Sequence, residues 1–306
     1  MSLYLQLLLG AIRPRSLFLP CSAIILGSGL AAFEGYVDGA LFASLLFVTM
    51  FAQIIVNLAG DYQRAFIIHA RNSEQSGQAN KHQQLQASML KLILGLFVLF
   101  CIAIGSLTLT STGVAPVSLT LLILCCLLLL SVLRHKTRRG LPTDRFGQIL
   151  SLLVMALLSA SLPFLLSHYL YTASLQSIDL LIAIAAGCLA LMTWFSEQIM
   201  LRFATQNVSQ IDADATPLVQ SQPAINNLLN AQMISLIVAV LLTLTLIIIA
   251  QLPILTFAFI FAIPSLAATI ITTRHLPDFD TAQSQLTKTG IASFSYWVLF
   301  VIGLMW

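Results

Sequence analysis

Charge is the scarcest commodity in this sequence: 8% of its 306 residues are Asp, Glu, Lys or Arg, against 58% hydrophobic. With a mean hydropathy of +0.95, the chain has too few polar side chains to cover a soluble core, so lipid must solvate much of its surface. Cysteine is also sparse. Cys21, Cys101, Cys125, Cys126 and Cys188 all sit in apolar runs, with no CxxC pair and no His–Cys ligand spacing, which argues against zinc and a disulfide framework. A net charge of +3 gives no basis for binding nucleic acid. No internal repeat and no stretch with the composition of a soluble domain is present. Arg13 and Arg15 precede an apolar run without a small-residue cleavage site, so that run reads as a first span rather than a signal peptide.

What is present is a series of apolar runs of about 20 residues, the length at which a helix crosses hydrocarbon; membrane strands would be shorter and alternating. They fall near 16–33, 40–60, 89–110, 114–133, 146–170, 178–201, 228–250, 252–273 and 289–306. The expectation is an all-α polytopic membrane protein: one domain, 1–306, with nine transmembrane helices. Residues 1–12 read as a short interfacial helix, with Pro14 suited to a helix start.

The connections alternate in character. Those after the first, third, fifth and seventh runs are short or nearly uncharged, including the stretch from His168 to Ser177. The others are polar, and 61–88 and 202–227 are long enough to fold over a site. Arg13 and Arg15 precede the first run. Arg64, Arg71, Lys81 and Lys91 follow the second, and Arg134, Lys136, Arg138, Arg139 and Arg145 the fourth. Arg202 follows the sixth, and Arg274 and Lys288 the eighth. Nine crossings therefore put all fourteen Lys and Arg on one face, cytoplasmic by the positive-inside rule, with the N-terminus there and the C-terminus outside. Among the acids, Glu34, Asp38 and Asp179 fall opposite.

Ionisable groups at span ends are functional candidates. At the end of the second run, Asn57 and Asp61 are four apart and share a helix face. The sixth ends on Trp194-Phe-Ser-Glu197-Gln198 and leads past Arg202 to Asp212 and Asp214. Two such clusters of oxygen ligands suit Mg2+ held against a phosphorylated substrate; the alternative is that they mark the water interface. The cluster Arg134, Lys136, Arg138 and Arg139 reads as a topology signal at the headgroups or as steering for a diphosphate. His69, His82, His135 and His275 lack ligand spacing. Phe51, Phe97, Phe100, Trp194 and Phe195 are candidates to line an apolar tunnel or to pack in the bundle.

Arg13-Pro14-Arg15-Ser16-Leu17, the stretch Ile25-Leu-Gly27-Ser-Gly29-Leu-Ala31 and Val56-Asn57-Leu-Ala-Gly-Asp61-Tyr62 together resemble the start of the UbiA prenyltransferase superfamily, nearest the branch that prenylates 1,4-dihydroxy-2-naphthoate on the route to menaquinone. The resemblance implies a nine-helix bundle in a bacterial inner membrane. It further implies transfer of a polyprenyl group from its diphosphate to an aromatic, quinone-precursor acceptor. Two Asp-rich motifs, after the second and sixth helices, would bind Mg2+ and diphosphate. Carried over residue by residue, Asn57 and Asp61 are the catalytic and metal-binding pair. Glu197, Asp212 and Asp214 are metal candidates on the opposite wall, and Arg13, Arg64 and Arg202 are diphosphate contacts.

This sequence departs from the family pattern in both motifs. Gly60 stands where the family has Asn, and Arg64 where it has a further Asp. Arg64 reads as a partner of Asp61 at i,i+3, as a direct diphosphate contact, or as a sign of lost catalysis. The second motif matches either at Glu197-Gln198 or, through the loop, at Gln206-Asn207 with Gln210, Asp212 and Asp214. The rival expectation is a non-catalytic relative that keeps the fold to bind lipid or quinone or to serve as an assembly partner. A small transporter is a third class, weakened because no span carries a charge near its middle.

Overall fold

The computed structural model describes residues 14–72, 79–112, 120, 123, 126–127, 154, 156–209, 222–274 and 279–306. Among these, all regular structure is helical. In chain order the elements are α1 (Pro14–Phe33), α2 (Gly39–Asn72), α3 (Ala79–Thr112), a π-helical turn Leu157–Ser161 continued by α4 (Leu162–Thr172), α5 (Ser177–Ser209) and α6 (Gln222–Ile249). A 3-10 helix, Ile254–Ala262, then runs into α7 (Ile263–Arg274), and α8 (Phe279–Met305) ends the chain. Among the described residues, six stretches are long and apolar enough to cross a membrane: Gly39–Ala59, Ser88–Leu107, Ser177–Met200, Asn226–Ile249, Ile254–Arg274 and Gln283–Met305. Exposed Phe47, Ile102, Ile248 and Phe261 suit a hydrocarbon solvent, where an outward apolar side chain costs nothing. The expected spans at 114–133 and over the first part of 146–170 lie largely outside the described residues, as does the expected helix at 1–12.

Two expected loops are corrected. The 61–88 stretch is mostly helix, since α2 continues to Asn72 and α3 starts at Ala79; likewise α5 continues through 202 to Ser209. The residues concerned (Ala, Gln, Arg, Lys, Leu) are good helix formers without an internal Gly or Pro breaker after Gly60. A helix can therefore leave the hydrocarbon without ending. The expected span at 252–273 is present as Ile254–Arg274, built from a 3-10 segment followed by an α-helix. The change comes just before Pro264, which brings no N–H to the preceding turn. Pro163 similarly follows the π-helical turn.

Helices associate in lipid through close packing and polar contacts rather than a hydrophobic drive. Gly27 is an instance: a Cβ there would lie 2.8 Å from the Phe164 carbonyl oxygen and from Ser167 Cβ. Its absence lets α1 lie against α4, where Ser28 and Ser167 hydroxyls hydrogen-bond at 3.0 Å. Between α5 and α6, Gln232 donates to the Met192 carbonyl at 3.1 Å and to Ser196 Oγ at 2.5 Å. Between α8 and α6, Tyr296 donates to Thr243 at 2.8 Å. Two apolar clusters share the interior. One gathers Phe164, Phe259, Tyr296, Trp297 and Phe300 with α5 and α6; the other joins α1, α2, α3 and α4 through Ile24, Leu45, Ile55, Leu58 and Ile93.

The end of α1, the starts of α2 and α5 and the end of α4 lie together. Tyr171 donates to the Asp38 carbonyl at 2.8 Å, and His168 lies within 3.5 Å of both Glu34 and Asp179. This is the acidic end. Lys91, Arg274 and Lys288, all exposed, belong to the far ends of their helices, the basic end.

Candidate functional site

Asp38 fixes where α2 begins: its carboxylate accepts the N–H groups of Ala40 and Leu41 at 2.9 and 3.0 Å, an N-cap. From that end Asn57 stands about 27 Å along the helix. Glu197 on α5 stands about 30 Å from Ser177, so the two candidate clusters lie at matching depth toward the basic end. Asn57 is buried, and its carboxamide oxygen accepts from Gln53 Nε2 at 3.2 Å. Asp61 and Arg64 follow on the same unbroken helix, at the i+4 and i+7 positions of Asn57, so helical geometry puts them on its side of α2. Glu197 is half-buried on α5, one turn beyond Trp194. The side chains of Asp61, Arg64 and Arg202 lie outside the described residues, as do Arg13, Asp212 and Asp214 entirely.

Beneath Gln53 opens a narrow, mostly apolar cleft of about 50 Å3, part of it open to the bundle's surface. Pro20 and Ile24 of α1, Leu45, Val48, Ala52 and Val56 of α2, Phe100 and Ile104 of α3, and Pro163 and Leu166 of α4 line it. Between Leu45 and Val56 it follows α2 for about 16 Å. Its polar lining atoms come from Thr49, Gln53 and Ser159. The arrangement is an apolar slot with a carboxamide pair at one end, Gln53 in its lining and Asn57 bonded to it. Of the aromatic candidates, Phe100 lines this slot, while Phe51 and Phe97 pack against the same cluster without lining it. Trp194 and Phe195 are elsewhere, edge to face at 5.5 Å on α5.

α2 and α5 do not pack closely on one another among the described residues; α1 and α4 stand between them. Among the described residues no three His, Cys, Asp or Glu side chains converge as metal ligands. Cys101 and Cys126, expected to act as separate small hydrophobes, have their sulfurs 3.6 Å apart as free thiols.

One cluster is invisible to sequence spacing. His168, read as the start of a connection, lies inside α4 and is completely buried. Its Nε2 is 3.4 Å from Glu34 Oε1 and its Nδ1 3.5 Å from Asp179 Oδ2. The acids at this end were legible as an asymmetry of charge, but the separation of Glu34 and His168 along the chain gave no signal that they meet.

No protein-family model matches the chain, and no curated protein matches it either.

Proposed function

We propose that this chain is a membrane prenyltransferase that moves a polyprenyl group from its diphosphate to an aromatic, quinone-precursor ring. The observation that carries the reading is the slot under Gln53 and Asn57: apolar where a prenyl chain would lie, polar at the end where its diphosphate would sit. Lipid substrates bind in mostly apolar concavities with a few polar groups that fix orientation. Nine crossings complete the proposal. α3 ends at the acidic end, where Leu107 and Thr110 share a depression with Asp38 and Tyr171, and α4 ends there too, running in the same direction.

The oxygen atoms of Asn57 and Asp61 suit Mg2+, a hard cation that takes carboxylate and carbonyl oxygens, and Gln53 holds the Asn57 oxygen at the mouth of the slot. When bound, the metal supplies charge stabilisation for the departing diphosphate. The remaining work falls to the chain itself. Arg13, Arg64 and Arg202 contact diphosphate oxygens, with Glu197, Asp212 and Asp214 as further carboxylates on and after α5. The slot keeps water from the allylic carbon as it becomes cation-like, so that the aromatic ring is the nucleophile that reaches it.

The test uses the full chain in nanodiscs with Mg2+, a labelled polyprenyl diphosphate and a panel of hydroxylated aromatic acids. A labelled lipophilic product is expected. Diphosphate binding without product would favour a non-catalytic relative of the same fold, and absence of both would overturn the reading.

A further inference from the structure

His168 is a fully buried imidazole, and Asp179 beside it is buried as well. Its ring is stacked on Phe164 one turn earlier, with centroids 6.2 Å apart and planes at 16°. Each nitrogen faces a carboxylate on a different element: Nε2 faces Glu34, just past the end of α1, and Nδ1 faces Asp179, in the first turn of α5. Neither nitrogen has a hydrogen-bond partner elsewhere. Asp179 is itself buried and accepts the Gln176 N–H at 2.6 Å, while Glu34 is 31% exposed and reaches water. Asp38, the next acid at this end, is turned into the cap of α2. Among the described residues, Glu34 and Asp179 are thus the charged groups within ion-pair range of the ring.

We propose that His168 is a proton-binding site that locks α1, α4 and α5 together at the acidic end of the bundle. A neutral imidazole carries a proton on one nitrogen and can satisfy one carboxylate as donor; two-sided bridging requires the imidazolium. With His168 neutral, two carboxylates flank a buried ring without a cation, an arrangement that low polarity penalises. The proton reaches the ring through Glu34, the member of the trio that touches water. Because Pro163 and Leu166 of α4 and Ile24 of α1 wall the apolar slot, the lock also sets that wall.

The sign follows from the charged form being the bonded one. Stability from the bridge requires the proton that lets both ring nitrogens donate, so it is present in acid and absent once that proton is removed in alkali. In detergent or nanodiscs, the wild-type Tm should fall by about 3 °C or more between pH 6 and pH 9. His168→Gln should be nearly flat over the same range, its other four histidines unchanged. Glu34→Gln, which removes the half-exposed carboxylate alone, should show a reduced fall and decides the matter where His168→Gln does not fold. A wild-type Tm that is flat across the range, or variants that reproduce the wild-type fall, would overturn the proposal.

Discussion

Asp61 carries the most weight per atom in the proposed chemistry, since it is the one carboxylate on the Asn57 side of α2. Asp61→Ala is expected to abolish product formation, and Asn57→Ala to lower turnover by about 10²-fold, the scale of one lost transition-state contact. Turnover in nanodiscs reads both; activity that survives Asp61→Ala would sink the assignment of that residue. Arg64→Asp separates the readings of Arg64: increased Mg2+-dependent turnover points to a lost metal ligand, and loss of diphosphate affinity to a direct contact. Gly27 makes a purely structural prediction. A side chain there meets the Phe164 carbonyl at 2.8 Å, so Gly27→Val should destabilise by about 1–3 kcal/mol, read as a lower Tm. Tyr296→Phe removes the hydrogen bond to Thr243, which keeps its own to the Ala239 carbonyl, and should cost about 0.6 kcal/mol, the usual worth of a hydrogen bond between membrane helices.

At the scale of elements, α2 is the spine of the candidate site. Its N-cap at Asp38 anchors one end, its middle walls the slot, and its extension beyond the apolar stretch carries Asp61 and Arg64. Filling the slot from this helix should therefore separate binding of the prenyl chain from handling of the diphosphate. Ala52→Trp is expected to raise KM for long prenyl diphosphates by tenfold or more, on the order of the burial energy of a few methylenes, while leaving affinity for inorganic diphosphate unchanged. An equal effect on both would place the prenyl chain elsewhere. The apolar length of α2 was legible from its residues. Its continuation to Asn72 was not read, because polarity marks where the bilayer ends, and the helix itself ends where backbone preference does.

Among the described residues, Glu34, Asp38 and Asp179 lie at one end and Arg274 at the other, and the positive-inside rule would put the second end in the cytoplasm. Ser174→Cys, in the exposed turn before α5, should then react with an impermeant maleimide applied to intact cells. Arg274→Cys should react only after permeabilisation. Labelling of both from the same side would refute nine crossings, and reversed labelling would refute the orientation.

Composition and run length alone determined that this chain is a helical membrane protein, and where most of its crossings begin and end. The reason is that transfer into hydrocarbon is nearly additive along a helix, so local sequence suffices. That Asn57 and Asp61 lie four residues apart on one helix was legible for the same kind of reason. Tertiary structure decided that α1, α2, α3 and α4 enclose a slot beneath Gln53, and that His168 lies between Glu34 and Asp179. Both depend on which helix faces cross in space. Small residues at contacts such as Gly27 settle that crossing through packing, and their spacing along the chain does not reveal the partner.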